Sequence, residues 1–205
     1  MREAADPPRL TSLPRGDEDR HAAGLNGPAF PGMMARVGTY ERYTPDLDAY
    51  HERARTGPCF VCGILAGDPD FAGHHVVYED DAAVAFLNRW PTQYGYTLVV
   101  PKEHREQATA DFTVDEFLAL QRIVYRVAEA VRGEVGAERM YVMSLGSNQG
   151  NAHVHWHVVP LPPGTPYDEQ QFAALMLETA GALDIPEDEK ADLAARIGRR
   201  IESTP

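Results

Sequence analysis

Five short stretches between residues 74 and 159 combine apolar, β-branched residues with polar ones, as half-buried β-strands do. The first two, HHVVYED and AAVAFLN, are joined by an acidic turn at Glu79–Asp81. The third, YTLVVP, ends at Pro101 and is followed further along the chain by RMYVMSL and HVHWHVV. Because hairpin-length links dominate, we predict an antiparallel sheet of five strands.

One longer stretch, DFTVDEFLALQRIVYRVAEAV, has the period of a helix. Thr113 and Glu116 have the spacing of a capping box at its start. The pattern predicts a helix over Thr113–Val131 that ends near Gly133 and packs on the sheet, so the predicted fold class is α+β. The apolar face of this helix consists of Phe117, Leu120, Val124, Val127 and Val131.

The two ends of the chain differ from this central region. Residues 1–50 hold six of the sixteen prolines and show no lasting period, so we expect a tail that is flexible or wraps the surface. Within it, Thr44–Arg55 predicts a short helix capped by Thr44 or Asp46. We expect one domain over residues 51–163 and a helical extension over 164–205, with two helices broken at Asp184–Pro186.

Composition limits the classes of function. A net charge of −12 argues against a general binder of nucleic-acid polymers, although one small anionic ligand needs only local donors. No apolar run approaches the roughly 18 residues of a membrane span, and the first residues lack the apolar core of a signal peptide. The only cysteines, Cys59 and Cys62, are too close together in the sequence for a disulfide between them to stabilise the fold. We therefore expect a reducing, cytoplasmic location.

The last predicted strand carries histidines at alternate positions. In a strand such positions share one face, so His153, His155 and His157 should stand in line about 7 Å apart. Clustered imidazoles cost repulsion or desolvation unless something uses them, which leaves a metal or chemistry on an anion. The opposite face should pack on the core through Val154, Trp156 and Val158.

The loop GSNQGN precedes these histidines. Gly146 and Gly150 allow close backbone approach. Asn148, Gln149 and Asn151 offer neutral donors, and beside imidazoles such a loop suits phosphate oxygens. Taken alone, the same composition is typical of an ordinary turn.

Cys59 and Cys62 have the spacing of half a zinc site. A tetrahedral site needs two more ligands, and His104 and His153 are the candidates. Two other interpretations are a redox pair and two unrelated buried thiols. The redox interpretation is weak because the cysteines do not open a helix after a strand in a βαβ pattern.

The motif HVHWHVV resembles the His-φ-His-φ-His-φ-φ signature of the histidine-triad (HIT) family, where φ is apolar. CFVCGILAGD, VVYEDDAAVAFLN and YTLVVPKEH resemble the N-terminal half of the same domain in order and spacing. The resemblance extends from about Pro58 to Pro163, roughly half of the chain. It implies a HIT-like fold and a nucleotide hydrolase or transferase.

The resemblance also implies roles for individual residues. His155 matches the nucleophile, which attacks the α-phosphorus of a nucleotide to give a covalent nucleotidyl-imidazole. His157 matches the residue that contacts the phosphate, and the loop supplies further donors from Asn148, Gln149 and Asn151. Asn88 falls where many relatives carry an aspartate that binds the ribose hydroxyls.

Two further features follow from the resemblance. In the zinc-containing branch of the family, the positions matching Cys59, Cys62, His104 and His153 supply the ligands, so one zinc ion is expected. Gly95 and Tyr96 stand where many relatives have a Gly-His pair. Because family members are often homodimers, we expect a homodimer as well.

Several functional alternatives stay open at this point. The leading interpretation is hydrolysis of a dinucleoside polyphosphate or a nucleoside phosphoramidate, and the retained His157 favours it over nucleotidyl transfer. HWHVVP also resembles some HIT dinucleoside-tetraphosphate phosphorylases. A non-catalytic nucleotide-binding protein would not need His155, and a metal-storage module would bind more than one ion.

Overall fold

The computed structural model describes residues 40–203. Its main sheet has five strands in the order β2-β3-β4-β6-β5, with every neighbouring pair antiparallel. The predicted α+β, HIT-like fold is confirmed, and β6 lies inside the sheet as expected. The strands are β1 (Arg42–Tyr43), β2 (Val76–Glu79), β3 (Ala83–Leu87), β4 (Thr97–Pro101), β5 (Arg139–Ser144), β6 (Trp156–Leu161) and β7 (Ala182–Leu183).

Six α-helices and three short 3-10 turns complete the part of the chain that the structure describes. Among these residues, no helix combines the length and the apolar composition needed to cross a bilayer. The 3-10 turns cover Pro69–Phe71, Gln149–Asn151 and Tyr167–Glu169. The helices are α1 (Leu47–Thr56), α2 (Phe60–Leu65), α3 (Val114–Val135), α4 (Phe172–Leu175), α5 (Leu177–Ala180) and α6 (Glu187–Ser203).

The long helix α3 begins as its sequence predicts but ends later. Thr113 and Glu116 form the capping box, which satisfies amide groups of the first turn. The helix continues past Gly133 and stops at Gly136, whose φ of 67° is the left-handed conformation of a helix end. Gly133 lies inside the helix, where a Cβ would stand 3.2 Å from Nη1 of the flexible Arg200 side chain in α6.

The two faces of the sheet have separate apolar cores. The helices α3 and α6 cover one face, where Val154, Trp156 and Val158 are buried as predicted. The other face packs on α2 through Val61. Burying a side chain of this size stabilises the fold by about 1.5–3 kcal/mol. The other buried residues of the second core, in or next to the strands, are Val84, Phe86, Tyr96, Leu98, Val100 and Val159.

The terminal elements confirm one prediction and change another. Asp46 caps α1, with its Oδ1 accepting a 2.9 Å hydrogen bond from the amide of Ala49. The first of the two helices predicted after residue 167 is instead a 3-10 turn followed by α4 and α5. Gly181, with φ of 67°, ends α5, and β7 then pairs with β1. The second predicted helix is α6, which buries Leu193 and Ile197 in the core.

Candidate functional site

Four metal-ligating side chains from three parts of the chain meet at one end of the sheet. Cys59 caps α2, and the first turn of that helix brings the sulfur of Cys62 to the same side. His104 follows β4 and His153 precedes β6, and these two strands are paired. One ligand atom from each residue lies within 4.8 Å of all the others.

The distances within this cluster suit a tetrahedral ion. With zinc–sulfur bonds of about 2.3 Å and zinc–nitrogen bonds of about 2.05 Å, sulfur and nitrogen should be about 3.6 Å apart. Nδ1 of His153 lies 3.6 Å from Sγ of Cys59 and 3.8 Å from Sγ of Cys62. Nδ1 of His104 lies 3.3 Å from Sγ of Cys62. The four residues can therefore hold a metal, and two sulfurs with two imidazoles are a donor set that zinc prefers.

Neighbouring groups orient both imidazoles of this cluster. Nε2 of His153 donates to the carbonyl oxygen of Pro101 at 2.9 Å, which leaves the lone pair of Nδ1 directed at the cysteines. Nε2 of His104 lies 3.2 Å from the carboxylate of Glu106. Partners of this kind fix the ring orientation of metal-binding histidines.

The protein alone disfavours ionisation of the two thiols together. Burial, followed by the hydrogen bond and the charge of Cys59, raises the pKa of Cys62 to about 11. Bringing two thiols together is costly for their anions unless a cation is nearby. A divalent ion would remove this penalty, since metal binding displaces the thiol protons.

His155 is held in one tautomer. Its Nδ1 donates a 2.7 Å hydrogen bond to the carbonyl oxygen of His153, so Nε2 keeps its lone pair. Among the described residues, no group hydrogen-bonds to that nitrogen. Burial lowers the pKa of His155, which favours the neutral imidazole. The ring of Phe60 packs edge-on at 5.5 Å, and Ser144 donates to the carbonyl oxygen of His155 at 2.9 Å.

His157 lies beside His155, with ring centroids 4.8 Å apart. Its Nε2 faces the carbonyl oxygen of Leu145 at 3.4 Å, and its Nδ1 lies 2.6 Å from the hydroxyl of Tyr96. Burial and then the charge of His155 lower the pKa of His157 to about 4. The imidazole is therefore neutral around pH 7.

The structure changes the prediction for the histidine strand. Regular pairing begins only at Trp156, because the preceding residues bond to the segment after β4. The amide of Val154 donates to the carbonyl oxygen of Arg105 at 2.7 Å. The alternation of a strand therefore does not extend back over His153 and His155. His153 belongs to the metal cluster, while His155 and His157 form a pair.

The donor loop forms a 3-10 turn over Gln149–Asn151. Gly150 lies against the end of α1, where a Cβ would stand 2.8 Å from the carbonyl oxygen of Arg53. Only glycine fits such an approach, so α1 fixes the position of the loop. The loop carries three side-chain amides, which belong to Asn148, Gln149 and Asn151. Among the described residues, nothing hydrogen-bonds to these amides, so they are available to a ligand.

Asn88 has a local role that its position at the end of β3 did not predict. Its Oδ1 accepts a 2.8 Å hydrogen bond from the amide of Trp90 and so closes a turn. One lone pair of the oxygen is therefore engaged, while Nδ2 has no hydrogen-bond partner among the described residues and can contact a ligand.

Tyr96 was missed as a partner of the histidine pair. In the register of β4 and β6, Leu98 stands opposite His157, which makes Tyr96 a diagonal neighbour on the same face. Two observations could have indicated the contact between Tyr96 and His157. One is the pairing of β4 with β6, and the other is that Tyr96 stands where many relatives carry a histidine. Phe60 was missed for a similar reason, since its contact with His155 depends on how α2 packs.

This α+β fold, with paired imidazoles and a group of four side chains that could bind a metal, is that of a histidine-triad protein. A HIT domain model matches residues 72–163. An uncharacterized HIT-like protein of Saccharolobus solfataricus is 31% identical over 105 residues, which are 50% of this chain and 73% of the relative. The protein named hit of Bacillus subtilis is 33% identical over 105 residues, covering 50% and 70%. The chain belongs to the HIT family.

Solved structures agree with this assignment. A hypothetical histidine triad nucleotide-binding protein of Sulfolobus tokodaii superimposes with a TM-score of 0.56 and 25% identity, over 71% of this chain and 93% of that one. A zinc-bound histidine triad family protein of Mycobacterium smegmatis gives 0.55 and 25%, over 71% and 96%. Family membership supports, in general terms, a nucleotide-binding or hydrolase-type function.

Proposed function

We propose that this protein is a nucleotide hydrolase that cleaves at the α-phosphate of a nucleoside phosphate derivative through a covalent nucleotidyl-His155. The substrate class is a dinucleoside polyphosphate or a nucleoside phosphoramidate. The observation that carries the proposal is the 2.7 Å hydrogen bond from Nδ1 of His155 to the carbonyl oxygen of His153. It leaves Nε2 as an unshared nucleophile beside a loop of free amides.

The proposed reaction has two displacements. Nε2 of His155 attacks the α-phosphorus, and the bond from phosphorus to the leaving group breaks with its electron pair on the leaving group. Nδ1 keeps its proton, and the carbonyl of His153 stabilises the cationic ring. Water then attacks phosphorus and releases a proton, the phosphorus–nitrogen bond breaks back to Nε2, and a nucleoside monophosphate leaves. Over the whole cycle the departing leaving group takes up one proton from solvent and the attacking water gives one up. Two easier steps replace one difficult step.

The other predicted residues would stabilise and position the phosphate. His157 offers Nε2–H to a phosphate oxygen, and the amides of Asn148, Gln149 and Asn151 offer further donors. Asn88 would reach a ribose hydroxyl through Nδ2. These contacts act before and during both displacements, so they would affect binding as well as rate.

We also propose that Cys59, Cys62, His104 and His153 bind one zinc ion. When bound, zinc would supply a structural cross-link between α2, the segment after β4 and the start of β6, with no part in the displacements. The name of the Mycobacterium smegmatis neighbour, a zinc-bound protein, supports the choice of metal. Because His153 also accepts the hydrogen bond from His155, such a link would rigidify the nucleophile.

We propose a cytoplasmic homodimer with no nucleic-acid polymer or membrane as a partner. Within the protomer, β5 pairs only with β6 and forms one edge of the sheet. Exposed apolar side chains on α3 and β5 are the candidates for the interface: Val114, Leu118, Tyr125 and Val142. Sedimentation at micromolar concentration tests this part separately, and a monomer would overturn it.

The test of the proposed chemistry is a search for the covalent intermediate. Wild type and His155→Ala are mixed with diadenosine tetraphosphate or adenosine 5′-phosphoramidate, quenched in alkali, and analysed by mass spectrometry. A phosphoramidate adduct on His155 supports the proposal, and wild-type rates in His155→Ala overturn it. Products formed with and without added phosphate separate hydrolysis from phosphorolysis.

A further inference from the structure

Two guanidinium groups approach one indole ring at the edge of the proposed nucleotide site. Cζ of Arg53, on α1, lies 5.7 Å from the ring centroid of Trp90, and Cζ of Arg89 lies 5.2 Å from it. The ring of Tyr50 packs edge-on against the same indole at 5.5 Å. These four residues are called the arginine–tryptophan cluster below.

Backbone atoms of the cluster lie next to residues of the proposed reaction. The carbonyl of Arg53 is the atom that a Cβ at Gly150 would meet, so this residue borders the donor loop. Asn88, the proposed ribose contact, accepts its hydrogen bond from the amide of Trp90. Burial and then the nearby phenol of Tyr50 raise the pKa of Tyr96, the residue bonded to His157.

Within residues 40–203, the two arginines have no anionic partner. Among the described residues, neither Arg53 nor Arg89 forms an ion pair, although the chain has 31 acidic residues against 19 basic ones. Arg55, two residues along the same helix, does contact a carboxylate, with Nη2 3.4 Å from Oε2 of Glu52. One cation satisfies the face of an indole. The second guanidinium group at the same ring likewise has no carboxylate partner among the described residues, and a bound anion would supply one.

We propose that the arginine–tryptophan cluster binds the polyphosphate chain of the leaving group, and that the substrate is a dinucleoside polyphosphate. Guanidinium groups bind phosphate oxygens in a planar, bidentate manner. A phosphoramidate has no phosphate beyond the reacting one, so it would leave both cations without a ligand. This inference rests on the proposed function, because it assigns the leaving group of the same reaction.

The experiment compares two substrates in the same proteins. The value of kcat/KM is measured for diadenosine tetraphosphate and for adenosine 5′-phosphoramidate in wild type, Arg53→Gln and Arg89→Gln. The readout is the ratio of the two values, in which any effect on the shared chemistry or on folding cancels. Arg55→Gln, on the same helix, is the matched control.

A lost charge-assisted hydrogen bond should lower the ratio about tenfold in each cluster variant. The control should keep the wild-type ratio. A fall of threefold or more in both cluster variants supports the inference, and a smaller change in either one overturns it. Failure of the proposed function would look different, since wild type would then turn over neither substrate and form no adduct on His155.

Discussion

The hydroxyl of Tyr96 and Nδ1 of His157 are joined by a 2.6 Å hydrogen bond. Because the carbonyl of Leu145 near Nε2 can only accept, we infer that Nε2 carries the imidazole proton and that Tyr96 donates to Nδ1. Burial raises the pKa of Tyr96, which keeps its hydroxyl protonated. Tyr96 thereby fixes His157 in the tautomer that can donate to a phosphate.

Replacement of Tyr96 tests this tautomer. Tyr96→Phe should lower kcat/KM about tenfold, because Tyr96 acts on the reacting charge only through His157 and one lost hydrogen bond is worth about 1.5 kcal/mol. Tyr96→His should restore much of the rate, since an imidazole at this position can also donate to Nδ1. Steady-state kinetics measure both variants. Equal losses in the two would indicate that Tyr96 serves packing alone.

Substitutions of the nucleophile His155 and of its neighbour His157 should differ in their effects on turnover. His155→Ala should abolish turnover and leave nucleotide binding measurable by calorimetry, since donors other than the nucleophile remain. His155→Gly with added imidazole should recover part of the activity. His157→Ala should reduce the rate by about 10²–10³, the usual cost of one stabilising donor. Loss of binding in His155→Ala would contradict these roles.

The metal site should contribute mainly to stability. Cys59→Ser should lose the metal and about 3 kcal/mol of stability, or roughly 10 °C in Tm. Turnover per folded molecule should change less. Mass spectrometry of digested protein should give one zinc per chain in wild type. As a control, a chelator should lower the Tm of wild type and leave that of Cys59→Ser unchanged.

Acid should destabilise the fold partly through His157. Its pKa is about 4 in the folded chain, whereas the unfolded value is about 6.5. Below pH 6.5 the unfolded state therefore binds more protons, so the free energy of unfolding falls as pH drops from 6.5 towards 4. The contribution is at most about 3 kcal/mol.

Urea titrations at pH 7 and pH 4.5 measure this loss. His157→Asn removes the titrating group and should lose less stability between the two pH values than wild type. His51→Asn, which changes a histidine on the exposed surface of α1, serves as the control. The same pH dependence in all three proteins would contradict the assignment.

Local patterns account for the elements that the sequence predicted correctly. The apolar steps of α3, its cap at Thr113 and the strand motifs depend on neighbours within a few residues. The end of α3 was placed too early because two glycines lie near it, and the one with the left-handed backbone of a helix end is Gly136, not Gly133. The pairing of β1 with β7 and the bond from Tyr96 to His157 join distant segments.

The candidate site was predicted through a mixture of spacing and resemblance. Spacing alone identified Cys59 and Cys62 as half of a metal site, and the structure brings His104 and His153 to them. That His153 faces the cysteines while the rings of His155 and His157 lie together could not be read from alternation, since the residues before Trp156 bond to the segment after β4. The roles of the donor loop and the boundaries of the 51–163 domain stay predictions.

The position of Gly150 against α1 bears on how this domain could be transplanted or trimmed. The segment that matches the HIT domain model begins at residue 72, after α1 and after both cysteines. A protein cut to that segment would retain His155 and His157 but only two of the four metal ligands. Its donor loop would also lack the helix against which Gly150 packs. The segment that carries all four metal ligands and the support of the donor loop therefore begins before the segment that matches the HIT domain model. A chimera should have its N-terminal junction before α1.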